Sequence, residues 1–282
     1  MDIIGFRLIF MEIIIKPKNK WWQLDLKEIW QFRDLFYFFT WRDLKVKYKQ
    51  TVVGVAWAIF QPFITMVIFS IFFGNLAKMP SDGIPYPIFV YTGLLFWLLF
   101  SSGLSSVSGV FIANEKIVTK IYFPRIILPI SSIITNIVDF FIASVVLIGM
   151  MVYYQYAPSI VGLLLVLPLI LMSVFSVLGV GLFFGALNVK YRDVRFVLPF
   201  FIQILMFVTP VIYPVSVAPE KYKWLLGINP MSGIIDTARS GLLGIGNIDW
   251  TLLGVSAISM CLYCFIGFFY FKKVERYFAD VI

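Results

Sequence analysis

The chain has 282 residues, 61% of them hydrophobic and 13% charged, with a mean hydropathy of +0.93. Soluble domains are about 45–50% apolar and about 25% charged, so the aqueous fold classes are excluded. The net charge of +8 does not point to nucleic acid, because the basic residues cluster beside apolar runs.

Histidine is absent, which removes the commonest general base and metal ligand. Cys261 and Cys264 are too few for a disulfide framework. They sit inside an apolar run as C-x-x-C with no further Cys or His, and read as small apolar-facing thiols rather than a metal or redox site. No G-x-x-x-x-G-K-[S/T] phosphate loop is present, so the chain is not expected to hydrolyse ATP by that route.

Residues 1–26 form an N-terminal segment. It is not expected to be a signal peptide, since Arg7 and Glu12 interrupt Met1–Ile15 and no small-residue cleavage site follows. Met11 is an alternative initiator that would make 1–10 an optional extension. Residues 27–50 alternate with helical period. Trp30, Tyr37, Trp41, Leu44 and Tyr48 share one stripe, and Lys27, Asp34, Arg42, Lys45 and Lys49 another. That predicts an amphipathic helix lying in the membrane interface.

Residues 51–282 form the transmembrane domain. A bilayer core needs about 20 apolar residues per helix, and the uncharged runs predict six spans. They cover 53–76, 87–111, 127–152, 160–187, 195–213 and 250–271. Nothing alternates with strand period, so the class is an all-α integral membrane protein. Of the 23 Lys and Arg, 19 fall in residues 1–52, 114–125, 188–195 and 272–282. The positive-inside rule then predicts both termini in the cytoplasm, with Lys78, Lys221, Lys223 and Arg239 on the other side. Between the last two spans, 214–249 holds apolar pieces too short to cross. Asn229-Pro230 reads as a helix start, so short helices dipping back into the outer leaflet are expected there.

Asp139, the one charge well inside a span, is a functional candidate by default. No chain of acids accompanies it, and it is expected to hydrogen-bond neighbouring Asn or Ser rather than relay protons. Phe89, Phe96 and Phe100 align on span two. Phe196, Phe200 and Phe207 align on span five with Gln203 among them. Such faces suit sugar rings passing a channel, and they also suit plain lipid or helix packing. Ser101, Ser105 and Gly109, and the pair Gly181 and Gly185, mark faces where helices approach closely.

Together these features resemble the membrane subunit of bacterial ATP-binding-cassette polysaccharide exporters. These are the O-antigen, teichoic-acid and capsule exporters within the type-2 ABC permeases. The resemblance runs from Trp22 to the C-terminus. It is carried by Trp41-Arg42-Asp43-Leu44-Lys45-Val46-Lys47-Tyr48-Lys49-Gln50-Thr51 with Gly54, Trp57 and Pro62. Asn188-Val-Lys-Tyr191-Arg192-Asp193 follows, then Thr209-Pro210-Val-Ile-Tyr213-Pro214 leading to Asn229-Pro230.

The resemblance implies a homodimeric pore in the bacterial inner membrane with an ABC ATPase subunit on each protomer. That partner binds ATP and Mg, and this chain carries no cofactor. It implies a coupling helix in 114–125, offering Glu115, Lys116, Ile117, Lys120, Ile121, Tyr122, Phe123 and Arg125. It also implies outer gate helices in 214–249 and a polyprenyl-diphosphate-linked glycan as cargo. Arg42, Lys45, Lys47 and Lys49 would receive the diphosphate at a cationic entrance. A drug or small-lipid exporter is the alternative within that class. A secondary transporter is disfavoured by the absence of repeated halves and coupling-ion sites.

Overall fold

The computed structural model of the protein describes residues 26–49, 54–244 and 246–278. The N-terminal segment through residue 25, including Met11 and Trp22, and the Gln50-Thr51 pair lie outside the described residues.

Lipid offers no partner for backbone N–H or C=O, so long apolar runs fold as helices. In chain order these are α1 (Leu26–Gln31), α2 (Arg33–Lys49), α3 (Gly54–Leu76), α4 (Tyr86–Ala113), α5 (Glu115–Val118) and α6 (Ile127–Tyr153). Then come α7 (Ile160–Lys190), α8 (Val194–Val208), α9 (Lys223–Leu226), α10 (Pro230–Leu243) and α11 (Trp250–Val274). No strand occurs among the described residues. The interface helix is thus two pieces, α1 and α2, broken at Phe32.

Five helices, α3, α4, α6, α7 and α11, are long and apolar enough to cross a bilayer. The run expected as the fifth span behaves differently. Its helix, α8, has 15 residues, about 22 Å at 1.5 Å per residue, against a hydrocarbon layer of about 30 Å. It stops because Thr209 is extended, with ψ of 137°. Pro210 follows, and the ring of a proline drives the residue before it out of the α region.

Helix α4 is the hub, packed against α6, α7 and α10. Ile88, Tyr91, Phe96 and Leu104 are fully buried there, and the Tyr91 hydroxyl donates to the carbonyl of Ala143 on α6 at 2.9 Å. Gly181 and Gly185 of α7 face Val107 and Phe111 of α4, as their spacing predicts. Of the other small-residue row, Ser101 is buried but Ser105 and Gly109 do not pack inside the protomer. Ser105 is exposed, and a β-carbon on Gly109 would meet open space. Gly103 takes the close approach instead, facing Val177. Helices α7 and α11 cross backbone to backbone, and a β-carbon on Gly267 would overlap the Gly179 carbonyl.

The two ends of the bundle differ. At the basic end, Phe39 of α2, Phe111, Val118, Phe123, Phe271 and Phe278 form one hydrophobic cluster. That cluster gathers α2, the 114–125 segment and the end of α11. At the opposite end, α10 begins at the expected Asn229-Pro230, where the Asn229 side chain accepts from the Met231 N–H at 3.1 Å. It ends at Gly244, whose φ of +64° is left-handed. With 14 residues α10 does not span, yet it is buried against α4, α7 and α11.

Arg239 of α10, counted by charge sorting among the extramembrane residues, lies at 4% exposure inside the protein. Its Nε donates to the Phe89 carbonyl (3.1 Å), and Nη1 and Nη2 donate to those of Pro210 (2.7 Å) and Val211 (2.6 Å). Its Cζ sits 3.6 Å from the centroid of the Phe89 ring. Gly93 leaves the room, since a β-carbon there would stand 2.5 Å from Nη2. The Tyr86 hydroxyl takes the next carbonyl, Ile212, at 2.8 Å. The backbone freed by the end of α8 is therefore satisfied from α4 and α10.

Removing the guanidinium orphans the two non-helical carbonyls, Pro210 and Val211, at roughly 1–3 kcal/mol each. Arg239→Ala is expected to lower the thermal midpoint of the detergent-solubilised protein by roughly 10 °C. Arg239→Lys recovers only part of it, because an ammonium lacks the planar fork. An unchanged midpoint in both variants would sink this account.

Candidate functional site

On α2, Phe36 and Phe39 turn toward the protein, while Tyr37 and Trp41, and Trp30 on α1, stay exposed. Tyr37 and Trp41 stack with centroids 6.4 Å apart. Of the predicted aromatic stripe, Trp30, Tyr37 and Trp41 are thus free for the bilayer interface, where amphipathic rings settle, while Leu44 and Tyr48 are half-buried against the protein.

The four basic residues expected at the entrance do not act alike. Arg42 is paired with its neighbour Asp43 (Nη2 to Oδ1, 2.8 Å) and lies over the Phe39 ring at 5.1 Å. Lys47 forms an ion pair with Oδ2 of Asp139 on α6. Only Lys45 and Lys49 of the four are exposed, so the cationic surface is smaller than expected. Asp139 is therefore held neither by Asn nor by Ser. The Tyr48 hydroxyl donates to its Oδ1 at 2.5 Å. Burial, then the hydrogen bond and negative charge of Asp139, push the Tyr48 hydroxyl well above the usual tyrosine range and keep it a donor. Asn136, one turn earlier, donates instead to Ser106 Oγ and the Ser132 carbonyl.

The 114–125 segment holds a single helical turn, α5. Glu115, Lys116, Lys120, Ile121 and Tyr122 are exposed at the basic end, and Ile117 is half-buried. Phe123 and Arg125, grouped with them by sequence, face inward. Phe123 is 4% exposed and packs on Phe39 with centroids 5.9 Å apart. Arg125 donates to the Glu275 carbonyl and lies over Phe278. These two tie the segment to α2 and the C-terminal turn. The Tyr122 hydroxyl donates to Glu28 of α1 at 2.8 Å. After the fourth span, Asn188 donates to the Ser108 carbonyl at 3.0 Å, and Tyr191, Arg192 and Asp193 are exposed.

The two aromatic faces do not meet. Phe89, Phe96 and Phe100 are all at most 3% exposed. Phe89 is the platform under Arg239 and Phe96 packs on Phe140 (5.1 Å between centroids). They are core, and the expectation that they line a channel is corrected. The reason is that this face of α4 is covered by α6, α7 and α10. Of the three, Phe100 also borders an apolar cavity of about 600 Å³ between α4, α7, α8 and α11. On α8, by contrast, Phe196, Phe200 and Phe207 are 67%, 63% and 58% exposed, and Gln203 shares their outward face.

The residue that sequence reasoning missed is Arg239. Its signal was a cation three residues from Asp236 in 230–243, a stretch with a helix start but too short to span. Cys264 donates weakly to the Phe175 carbonyl at 2.9 Å.

Core and surface aromatics differ measurably. Phe96→Ala should cost about 3–5 kcal/mol of stability, whereas Phe200→Ala should leave the thermal midpoint close to wild type. Equal loss in both would contradict the assignment of faces.

Comparison with known proteins agrees with this architecture. Residues 34–243 match the ABC-2 type transporter family. The chain is 28% identical over 249 residues to the O-antigen export system permease protein RfbA of Klebsiella pneumoniae, covering 88% of this chain and 95% of that protein. It is 28% identical over 218 residues to the RfbA of Myxococcus xanthus, covering 76% and 82%. Against the polysialic acid transport protein KpsM of Escherichia coli it is 24% identical over 240 residues, covering 83% and 91%. Five long apolar helices, a shorter outward one and a match across most of the chain establish that this protein belongs to the ABC-2 type transporter family.

Proposed function

We propose that the protein is the channel-forming subunit of an ATP-driven exporter of a lipid-linked polysaccharide, seated in the inner membrane with both termini cytoplasmic. The observation that carries this reading is the outward face of α8. An amide exposed among Phe196, Phe200 and Phe207 is costly against lipid, because nothing there completes its hydrogen bonds. Facing a second copy across a conduit, the same amide meets sugar hydroxyls and the rings meet sugar C–H surfaces. The named functions of the relatives, O-antigen export and polysialic acid transport, are of this class. In a homodimer each row occurs twice, so the conduit is lined from α8 of both protomers rather than from α4.

Energy comes from a separate ABC ATPase, which supplies the ATP and Mg site and docks one copy per protomer on Glu115, Lys116, Lys120, Ile121 and Tyr122. The diphosphate of the cargo is received first by Lys45 and Lys49. Anionic headgroups in general are attracted by about 1 kcal/mol per basic residue near the surface, so the two must do more than this for the assignment to stand.

Gln203→Leu and Phe200→Ala are expected to reduce glycan export severalfold with the thermal midpoint unchanged or, for Gln203→Leu, raised. Full export by both would remove the conduit from α8.

Glu115→Arg and Ile121→Asp, both on exposed positions, should uncouple ATP hydrolysis by the partner from export without loss of folding. Co-purification of the ATPase at wild-type yield, together with normal export, would rule out docking there.

A further inference from the structure

Asp139 and the two residues that grip it do more than anchor α2. Lys47 and Tyr48 are consecutive, in the last turn of α2, and each takes a different oxygen of one carboxylate 91 and 92 residues away in sequence. Helix α2 packs chiefly on α6, and this contact lies where α2 runs toward the first span. At its other end α2 touches the coupling segment through Phe39 and Phe123. One rigid helix of 17 residues therefore joins the segment exposed for docking to a charge inside the third span.

The surroundings of Asp139 supply a second resting place for that charge. Its side chain also lines a cleft of about 50 Å³ between α3, α4 and α6, whose other polar walls are Gln61, Ser102 and Asn136. The Gln61 amide and the Ser102 hydroxyl are donors that a carboxylate accepts, whereas Asn136 already donates to Ser106 and Ser132. A buried charge without partners is expensive, and a contact that stranded one would not open. Here, withdrawal of α2 leaves Asp139 facing Gln61 and Ser102 across a cleft that it already lines.

We infer that Asp139 is a positioning residue for transport: with Lys47 and Tyr48 it forms a catch between α2 and α6 that opens and closes in each cycle, the carboxylate passing to the Gln61–Ser102–Asn136 cleft when α2 moves. Two discrete arrangements of a charge, rather than a continuous deformation, are what allow a packed interface to switch. The inference rests on the proposed partnership with an ATPase, whose movement displaces α2.

The test uses the full permease with its ATPase in lipid nanodiscs. Asp139→Asn keeps the shape but not the charge, and should reduce export at least fivefold while ATP hydrolysis continues, raising the ATP consumed per glycan moved. Exchanging the charges, Lys47→Asp with Asp139→Lys, should restore at least half of wild-type export. A role confined to folding would lower the thermal midpoint and leave the ATP-to-glycan ratio unchanged.

Where the single variants fold poorly, Lys47→Cys with Asp139→Cys, on a background without Cys261 and Cys264, is joined by a short reducible bis-thiosulfonate linker. The locked catch should stop export, and reduction should restore it. Undiminished export with the linker in place, or wild-type export by Asp139→Asn, overturns the inference. Export by the wild type without ATP would instead defeat the proposed function, while electron-spin distances between α2 and α6 would still report whether the catch opens.

Discussion

A guanidinium removed from water, donating to three main-chain carbonyls, is the interaction on which the non-basic end of this protein depends. In lipid every backbone polar group must be satisfied internally, and the Thr209-Pro210 break leaves several that no helix closes. Arg239 meets the carbonyls of Pro210 and Val211, Tyr86 meets that of Ile212, and a further guanidinium N–H ties Arg239 to the Phe89 carbonyl of α4. Thr209 is held in turn by the Asn229 side chain at 2.7 Å. The end of α8, the start of α10 and the first turns of α4 are thereby one hydrogen-bonded unit. Whatever moves α10 must either carry the tip of α8 along or exchange these bonds for others.

At the basic end the organising force is different. Aromatic packing among Phe39, Phe111, Phe123, Phe271 and Phe278 binds α2, the 114–125 segment and the last helix into a second cluster. Little polar chemistry is needed because the rings do the joining. The charged exceptions are specific: Arg42 with Asp43, Arg125 with the Glu275 carbonyl, and Lys47 with Asp139. The two ends are thus fastened by opposite means, hydrogen bonds to exposed backbone at one and apolar contact at the other.

Much of this was legible in the residues themselves. Apolar runs bounded by charge placed five spans, Asn229-Pro230 placed the start of α10, and Gly181 with Gly185 placed the approach of α7 to α4. What remained hidden depends on neighbours distant in the chain. Helical period shows that Phe89, Phe96 and Phe100 share a face, but not that other helices cover that face of α4. It shows the same of Phe196, Phe200 and Phe207, where the face looks outward. Asp139 was conspicuous, yet its partners lie on another helix, and the Asn and Ser residues near it in sequence bond elsewhere. Arg239 was counted with the loops because charge sorting weighs a residue by its sequence neighbours, and a short helix folded back into the protein defeats that rule.

The brevity of α8 has an effect beyond its own hydrogen bonds. A helix some 22 Å long standing at the edge of the protomer beside hydrocarbon about 30 Å deep is mismatched to its lipid. The adjoining leaflets must pinch inward, at a fraction of a kcal/mol for every ångström of disparity. That penalty vanishes where the helix borders another polypeptide instead. Hydrophobic length thus biases which side of the molecule lipid vacates, and it selects the side bearing Phe196, Phe200, Gln203 and Phe207 without any attraction between those side chains being required.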